Sequence, residues 1–217
     1  MNHSRLLQYY QTALDKLGPQ NWWPGETPFE VCIGAILTQN TNWYNVEKAI
    51  QNLKFRHLLD PHRLYALPVQ ELAQLIQPAG YFNIKAKRLR NFLKFLLENY
   101  NGDLEKMFEE RLKPLREKIL SVSGIGPETA DSILLYAGQK PSFVVDAYTR
   151  RIFLRHAVIS EEADYHEIQG YFTRHLPEDT QLFNEYHALI VNIGKKWCKA
   201  KEPLCDQCPW KVYLPSK

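Results

Sequence analysis

No apolar run in this chain approaches the ~20 residues that a membrane-spanning helix needs. The polar opening Met1-Asn2-His3-Ser4-Arg5 lacks the apolar core of a signal peptide, so a soluble, cytoplasmic protein is expected. Cysteine is scarce, with four in 217 residues, which argues against a disulfide-stapled scaffold. Charge of one sign is not in large excess either. The formal net charge of +3 is too mild to argue for nucleic acid by itself. Local clusters matter more: Lys85, Lys87, Arg88 and Arg90, and again Arg150, Arg151 and Arg155. β-Branched and aromatic runs are too short to build a sheet, and there is neither an internal repeat nor a low-complexity segment.

What is present is helical patterning over nearly the whole length. Leu6, Leu7, Tyr10, Ala13, Leu14 and Leu17 follow helical spacing. Thr27-Pro28-Phe29-Glu30 reads as a capping box with proline at the first helical position, opening a helix that runs to about Thr38. Further helices are predicted from Trp43 to about Leu53, from Pro61, around Leu72 to Ile76, and from Ile84 to Tyr100. Two more are predicted at about 112–121 and 127–138, then Ala147–His156, Tyr165–His175 and Leu182–Ile193. Phe143-Val144-Val145 is an extended loop at most. Cys32, alone in an apolar helical stretch, reads as a core residue. Periodicity by itself gives an all-α protein of one or two lobes.

Residues 118–146 say more. A helix ending near Leu120 runs into Ser123-Gly124-Ile125-Gly126, and a second helix opens at Pro127. Such a turn offers bare backbone N–H groups at a helix start, a seat for a phosphate. One carboxylate, Asp146, closes the apolar run that follows. The stretch resembles the helix-hairpin-helix and Gly/Pro–Asp loop of the endonuclease III superfamily of DNA glycosylases, with Gly138, Pro141 and Asp146 in the Gly, Pro and Asp positions. Ile36-Leu37-Thr38-Gln39-Asn40-Thr41 resembles the family's early Gln-containing segment. Gly80-Tyr81-Phe82-Asn83-Ile84-Lys85-Ala86 resembles its Gly-aromatic segment, and Cys198, Cys205 and Cys208 its cysteine tail.

The resemblance implies an all-α fold of two helical lobes with a helix-hairpin-helix motif and a DNA-binding cleft between them. One lobe would be a helical barrel over residues 26–139, and the other would combine 1–25 with 140–217. It implies a monomer acting on double-stranded DNA that contains a damaged base, with no membrane partner, in the cytoplasm and on the nucleoid. Asp146 would stabilise the oxocarbenium character of the sugar, while also capping the helix that starts at Ala147. Gly124 and Gly126 would hold a phosphate, with a monovalent cation on the hairpin carbonyls. Asn40, or Gln39 beside it, would fill the space left by the extruded base, and Tyr81 would wedge against the orphaned partner. Lys85 and Arg88 would touch phosphates, or belong to a solvated helix face.

Two departures from the family pattern carry information. Bifunctional members place a lysine where Glu128 stands. A carboxylate cannot form a Schiff base with the sugar, so a monofunctional glycosylase without lyase activity is expected. The family's iron–sulfur pattern is Cys-x6-Cys-x2-Cys-x5-Cys, and its fourth place is Leu214 here. A [4Fe–4S] cluster completed by a non-cysteine ligand, loss of the cluster, and zinc with an outside ligand all stay open. Trp22-Trp23-Pro24 and Trp43 resemble the 3-methyladenine-DNA glycosylase branch, where such aromatics sandwich an alkylated base. A cationic alkylpurine on an aromatic face gains about 0.5–2 kcal/mol. An alkylated purine is therefore the expected substrate. The alternatives are a mismatched or oxidised base, uracil, or a non-catalytic hairpin protein that only binds DNA.

Overall fold

The computed structural model describes residues 3–215; Met1, Asn2, Ser216 and Lys217, at the ends of the expected second lobe, lie outside them. Among the described residues there are twelve α-helices and no strand. They are α1 (His3–Leu17), α2 (Pro28–Leu37), α3 (Trp43–Phe55), α4 (Pro61–Ala66), α5 (Val69–Leu75) and α6 (Phe82–Tyr100). There follow α7 (Leu104–Phe108), α8 (Leu112–Leu120), α9 (Pro127–Ser132), α10 (Ala147–Arg155), α11 (Tyr165–His175) and α12 (Thr180–Lys196). The chain divides into two compact units, Trp23–Lys140 and a second made of Met1–Trp22 with Pro141–Lys217.

In the first unit α2 is the buried axis, packed against α3, α6 and α9. Cys32, Ile33, Ile36 and Leu37 are fully covered, with Leu89, Phe92, Leu93 and Leu96 of α6 in the same core. The expected capping box of α2 is only half formed. Thr27 Oγ1 accepts from Glu30 N at 3.2 Å, but the Glu30 carboxylate takes the Glu26 N–H and the Lys54 ammonium instead of the Thr27 backbone. The predicted helix 127–138 is also not uniform. It is α-helical to Ser132 and π-helical over Ile133–Ala137, the extra residue per turn being absorbed before Gly138, whose N–H reaches back to Ile133 O at 3.0 Å.

The hairpin helices α8 and α9 are joined by more than apolar contact. Arg116 grips the fully buried Asp131 through two parallel bonds, Nε to Oδ1 at 2.7 Å and Nη2 to Oδ2 at 2.9 Å. Paired this way, the two charges lose water together and keep their geometry.

The second unit is built on aromatic packing. Phe143 stacks on Phe172 with ring centres 4.3 Å apart, and Tyr9 meets Trp210 edge-on at 5.3 Å. The polar tips are satisfied: Trp210 Nε1 donates to Tyr9 O at 2.7 Å and Tyr186 Oη to Leu6 O at 2.9 Å. Phe143-Val144-Val145 is a buried segment outside any helix, which fixes the approach of the chain to Asp146. Replacing Arg116 with methionine removes the two charge-assisted bonds it gives the buried Asp131. That change is expected to destabilise the fold by about 3–5 kcal/mol, measured as the shift in urea unfolding against wild type.

Candidate active site

Asp146 is the N-cap of α10. Its Oδ1 accepts from Thr149 N at 2.7 Å and from Thr149 Oγ1 at 2.9 Å. Its Oδ2 lies 3.6 Å from His187 Nε2, and the carboxylate keeps 11% of its surface exposed. One oxygen is therefore immobilised by the cap and the other is set toward a ring nitrogen. Burial alone would raise this carboxyl, but the His187 ring and the two Thr149 bonds outweigh it and hold it below the usual carboxylate value. A charged carboxylate at neutral pH is what stabilisation of a sugar cation requires.

His187 comes from α12, and nothing in the sequence marked it. What places it is the contact of α10 with α12. Gly194, two turns on along α12, lies so close to the Tyr148 ring that a Cβ there would meet ring carbon Cδ1 at 2.3 Å. A larger residue at 194 would drive the helices apart at the point that sets the Asp146–His187 spacing.

In the first unit the hairpin turn is held by buried Val122 and Ile125. Gly124 has φ +94°, and a Cβ there would strike the Arg88 side chain at 2.4 Å. Gly126 is exposed, caps α9 with its backbone alone and has open space where a side chain would be. Glu128 is exposed in the first turn of α9, where a negative charge suits the helix dipole.

Gln39 is bound into this hairpin. Its Nε2 donates to Thr129 Oγ1 at 2.9 Å and to Gly124 O at 3.2 Å, and its Oε1 accepts from Arg88 Nη1. Asn40, next to it, is exposed with φ +54°. Tyr81 is 68% exposed and also left-handed, at φ +46°, an uncommon conformation for a bulky residue.

Lys85 requires a correction. As a phosphate contact or a solvated face residue it would be open to solvent, yet it is 1% exposed. Its Nζ donates to Leu37 O at 2.8 Å and Ala79 O at 2.7 Å. Position on the helix put it beside basic neighbours, but its side chain runs inward along the core. The other basic cluster is similarly engaged. Arg151 donates to Cys198 O and Gly194 O, Arg155 to Lys199 O and Ala200 O, and Arg150 to Ala163 O and Glu161 O.

Trp23 and Trp43 meet edge to face at 5.2 Å, and Trp23 tilts against Tyr136 at 4.9 Å. Gly34 lies beneath this pair, where a Cβ would make ordinary contact with the Trp43 ring at 3.4 Å. Tyr136, on the π-helical segment, is an aromatic that the sequence reading did not single out. Trp22 falls in the other unit, with Lys195 Nζ 5.7 Å from its ring centre.

Cys198, Cys205 and Cys208 line one cavity of about 360 Å³, counting its open mouth, with Leu214 also on its wall. Arg155 Nη1 lies 3.2 Å from Cys198 Sγ. Among the described residues no three His, Cys, Asp or Glu side chains are close enough to share a single metal ion. The side chain of Leu214, at the fourth position of the family's pattern, offers no donor atom, and His156 lines the same cavity.

The model of the HhH-GPD superfamily base excision DNA repair protein matches residues 33–178. A Methanocaldococcus jannaschii protein provisionally named a DNA repair glycosylase is 51% identical, over 98% of this chain and 96% of its own. Endonuclease III of Thermotoga maritima is 31% identical, over 83% of this chain and 79% of its own. Among solved structures, the Helicobacter pylori 3-methyladenine DNA glycosylase bound to 1,N6-ethenoadenine superposes with a TM-score of 0.78 at 31% identity, covering 90% of this chain and 98% of that one.

The lowered Asp146 carboxyl has a consequence for stability. A carboxylate held below its unfolded value stabilises the fold above that value, and this contribution disappears as pH falls through the folded one. The stability gap between wild type and Asp146→Asn should therefore shrink as urea unfolding is repeated below about pH 4.

Proposed function

We propose that this chain, which belongs to the HhH-GPD superfamily of base excision DNA repair proteins and is a DNA glycosylase, excises an alkylated purine of the 3-methyladenine type by hydrolysis alone. The observation that carries the choice of base is the Trp23–Trp43–Tyr136 cluster. Electron-rich ring faces suit a base that alkylation has made cationic. Such a base is also an activated leaving group, so a carboxylate suffices without a strong general acid. The likeness to the H. pylori enzyme supports the same reading. Trp22 would serve the same base.

In this mechanism Gly124 and Gly126 anchor a phosphate of duplex DNA, and hairpin carbonyls with a spare lone pair take a monovalent cation. Asn40 enters the vacated stack while Gln39 stays tied to the hairpin, and Tyr81 meets the unpaired partner. Asp146, ionised and fixed by Thr149, stabilises positive charge on the sugar as the glycosidic bond breaks and water completes hydrolysis. Glu128 cannot replace the attacking lysine of bifunctional relatives, so the product is an intact abasic site. The enzyme acts as a monomer, in the cytoplasm on the nucleoid.

Cys198, Cys205 and Cys208 would hold three corners of an iron–sulfur cluster and so fasten the C-terminal tail. Bound there, the cluster supplies structure and no step of the reaction. Purified protein is expected to contain iron and labile sulfide in equal amounts and to absorb in the visible range; zinc or no metal would remove this assignment.

A release assay on duplexes carrying 3-methyladenine, an oxidised pyrimidine, uracil or a mismatched thymine tests the substrate. Alkylpurine release should dominate, Asp146→Asn should lower it by about 100-fold or more, and borohydride should trap no covalent adduct. Preferred release of another base would replace the substrate assignment, and efficient trapping would remove the hydrolysis-only mechanism.

A further inference from the structure

Lys85 is a fully buried lysine in a site that the proposed chemistry does not use. Burying an ammonium is costly unless its protons are accepted. Here the acceptors are two backbone carbonyls from widely separated parts of the chain. Leu37 is the last residue of α2, and Ala79 ends the short 3-10 turn Gln77–Ala79. Carbonyls at helix ends have no intrahelical partner, so a cation there is held well. Burial, followed by the charge of Arg88, brings the Lys85 ammonium down to about 8, which still leaves it mostly charged at neutral pH.

The two carbonyls are not arbitrary. Three residues after Leu37 comes Asn40, exposed and left-handed; two residues after Ala79 comes Tyr81, exposed and left-handed. Both loops are short. Thr38 N and Oγ1 return to Gly34 O, Thr41 N to Thr38 O, and Asn42 already caps α3. On the other side Gly80 N bonds Gln77 O, and α6 begins immediately after Tyr81. Neither loop has slack, so the position of its root fixes the position of its tip.

We propose that Lys85 is a positioning residue, one buried amine that clamps the roots of the Asn40 and Tyr81 loops and so holds the two tips in register for entering a single gap in duplex DNA. This rests on the reading of Asn40 and Tyr81 as the residues that enter the duplex. It does not depend on which base is excised. An insertion that opens a stack costs a few kcal/mol, and two tips share that cost only if they arrive together.

The test uses a duplex with a tetrahydrofuran abasic analogue opposite 2-aminopurine, beside the same duplex without the analogue. Lys85→Met keeps the unbranched apolar stem, one atom shorter, and removes its donors. It should bind the abasic duplex about tenfold more weakly than wild type and give a smaller 2-aminopurine signal. Binding to the intact duplex, which rests on the hairpin and phosphates, should stay within about twofold. A merely structural defect weakens both alike. Equal loss on both duplexes, or none on either, overturns the clamp.

Should Lys85→Met not fold, the exposed tips decide. Asn40→Ala and Tyr81→Ala should each weaken abasic-duplex binding, and the double variant should lose less than the two losses combined. Simple additivity overturns the clamp, and single variants that lose nothing overturn it together with the DNA-contact reading beneath it. Failure of alkylpurine release alone touches only the base assignment.

Discussion

An α-helix leaves its last four carbonyls without intrahelical partners, and a protein made almost wholly of short helices has many such ends to satisfy. Basic side chains meet this demand repeatedly here. Lys85 serves the end of α2, Arg90 takes Tyr65 O and Leu67 O at the end of α4, and Arg151 and Arg155 take carbonyls at and beyond the end of α12. Each such bond is charge-assisted and so stronger than a neutral hydrogen bond, and where the carbonyl closes a helix, as at Leu37 and Gly194, the charge also meets the negative end of the helix dipole. The loops at those ends are therefore anchored where they begin.

Anchored loops matter because this protein exposes its candidate DNA contacts on them. Gln39 is tied to Gly124 and Thr129 and braced by Arg88, so the early loop and the hairpin form one network within the first unit. Gly124 lies against Arg88 with no room for a side chain, which explains the glycine by contact as well as by its positive φ. The buried Arg116–Asp131 pair then fixes the hairpin helices behind it.

The charge at Asp146 follows a parallel logic. A carboxylate with only a small exposed surface would favour its neutral form, but Thr149 and His187 hold it ionised. The cap uses one oxygen and leaves the other facing His187, so the same residue starts α10 and presents a charge. The close approach of α10 and α12 at Gly194 brings His187 to that place.

The helical class, the hairpin turn, the non-helical run into Asp146 and the N-cap role of that aspartate were all legible in the sequence. Each rests on neighbours within a few residues: periodicity, glycine and proline placement, and a capping side chain. Gln39 and Asn40 were adjacent candidates that only three dimensions separate, one bound to the hairpin and the other exposed. Lys85 and Arg151 looked like surface charge because helical position says where a side chain starts and not where a long one ends. His187, Tyr136 and Gly194 act through partners about 40 to 110 residues away in the chain. Local pattern determined which helices form and where they stop, and only packing decided which charges meet carbonyls, which meet each other and which remain for a ligand.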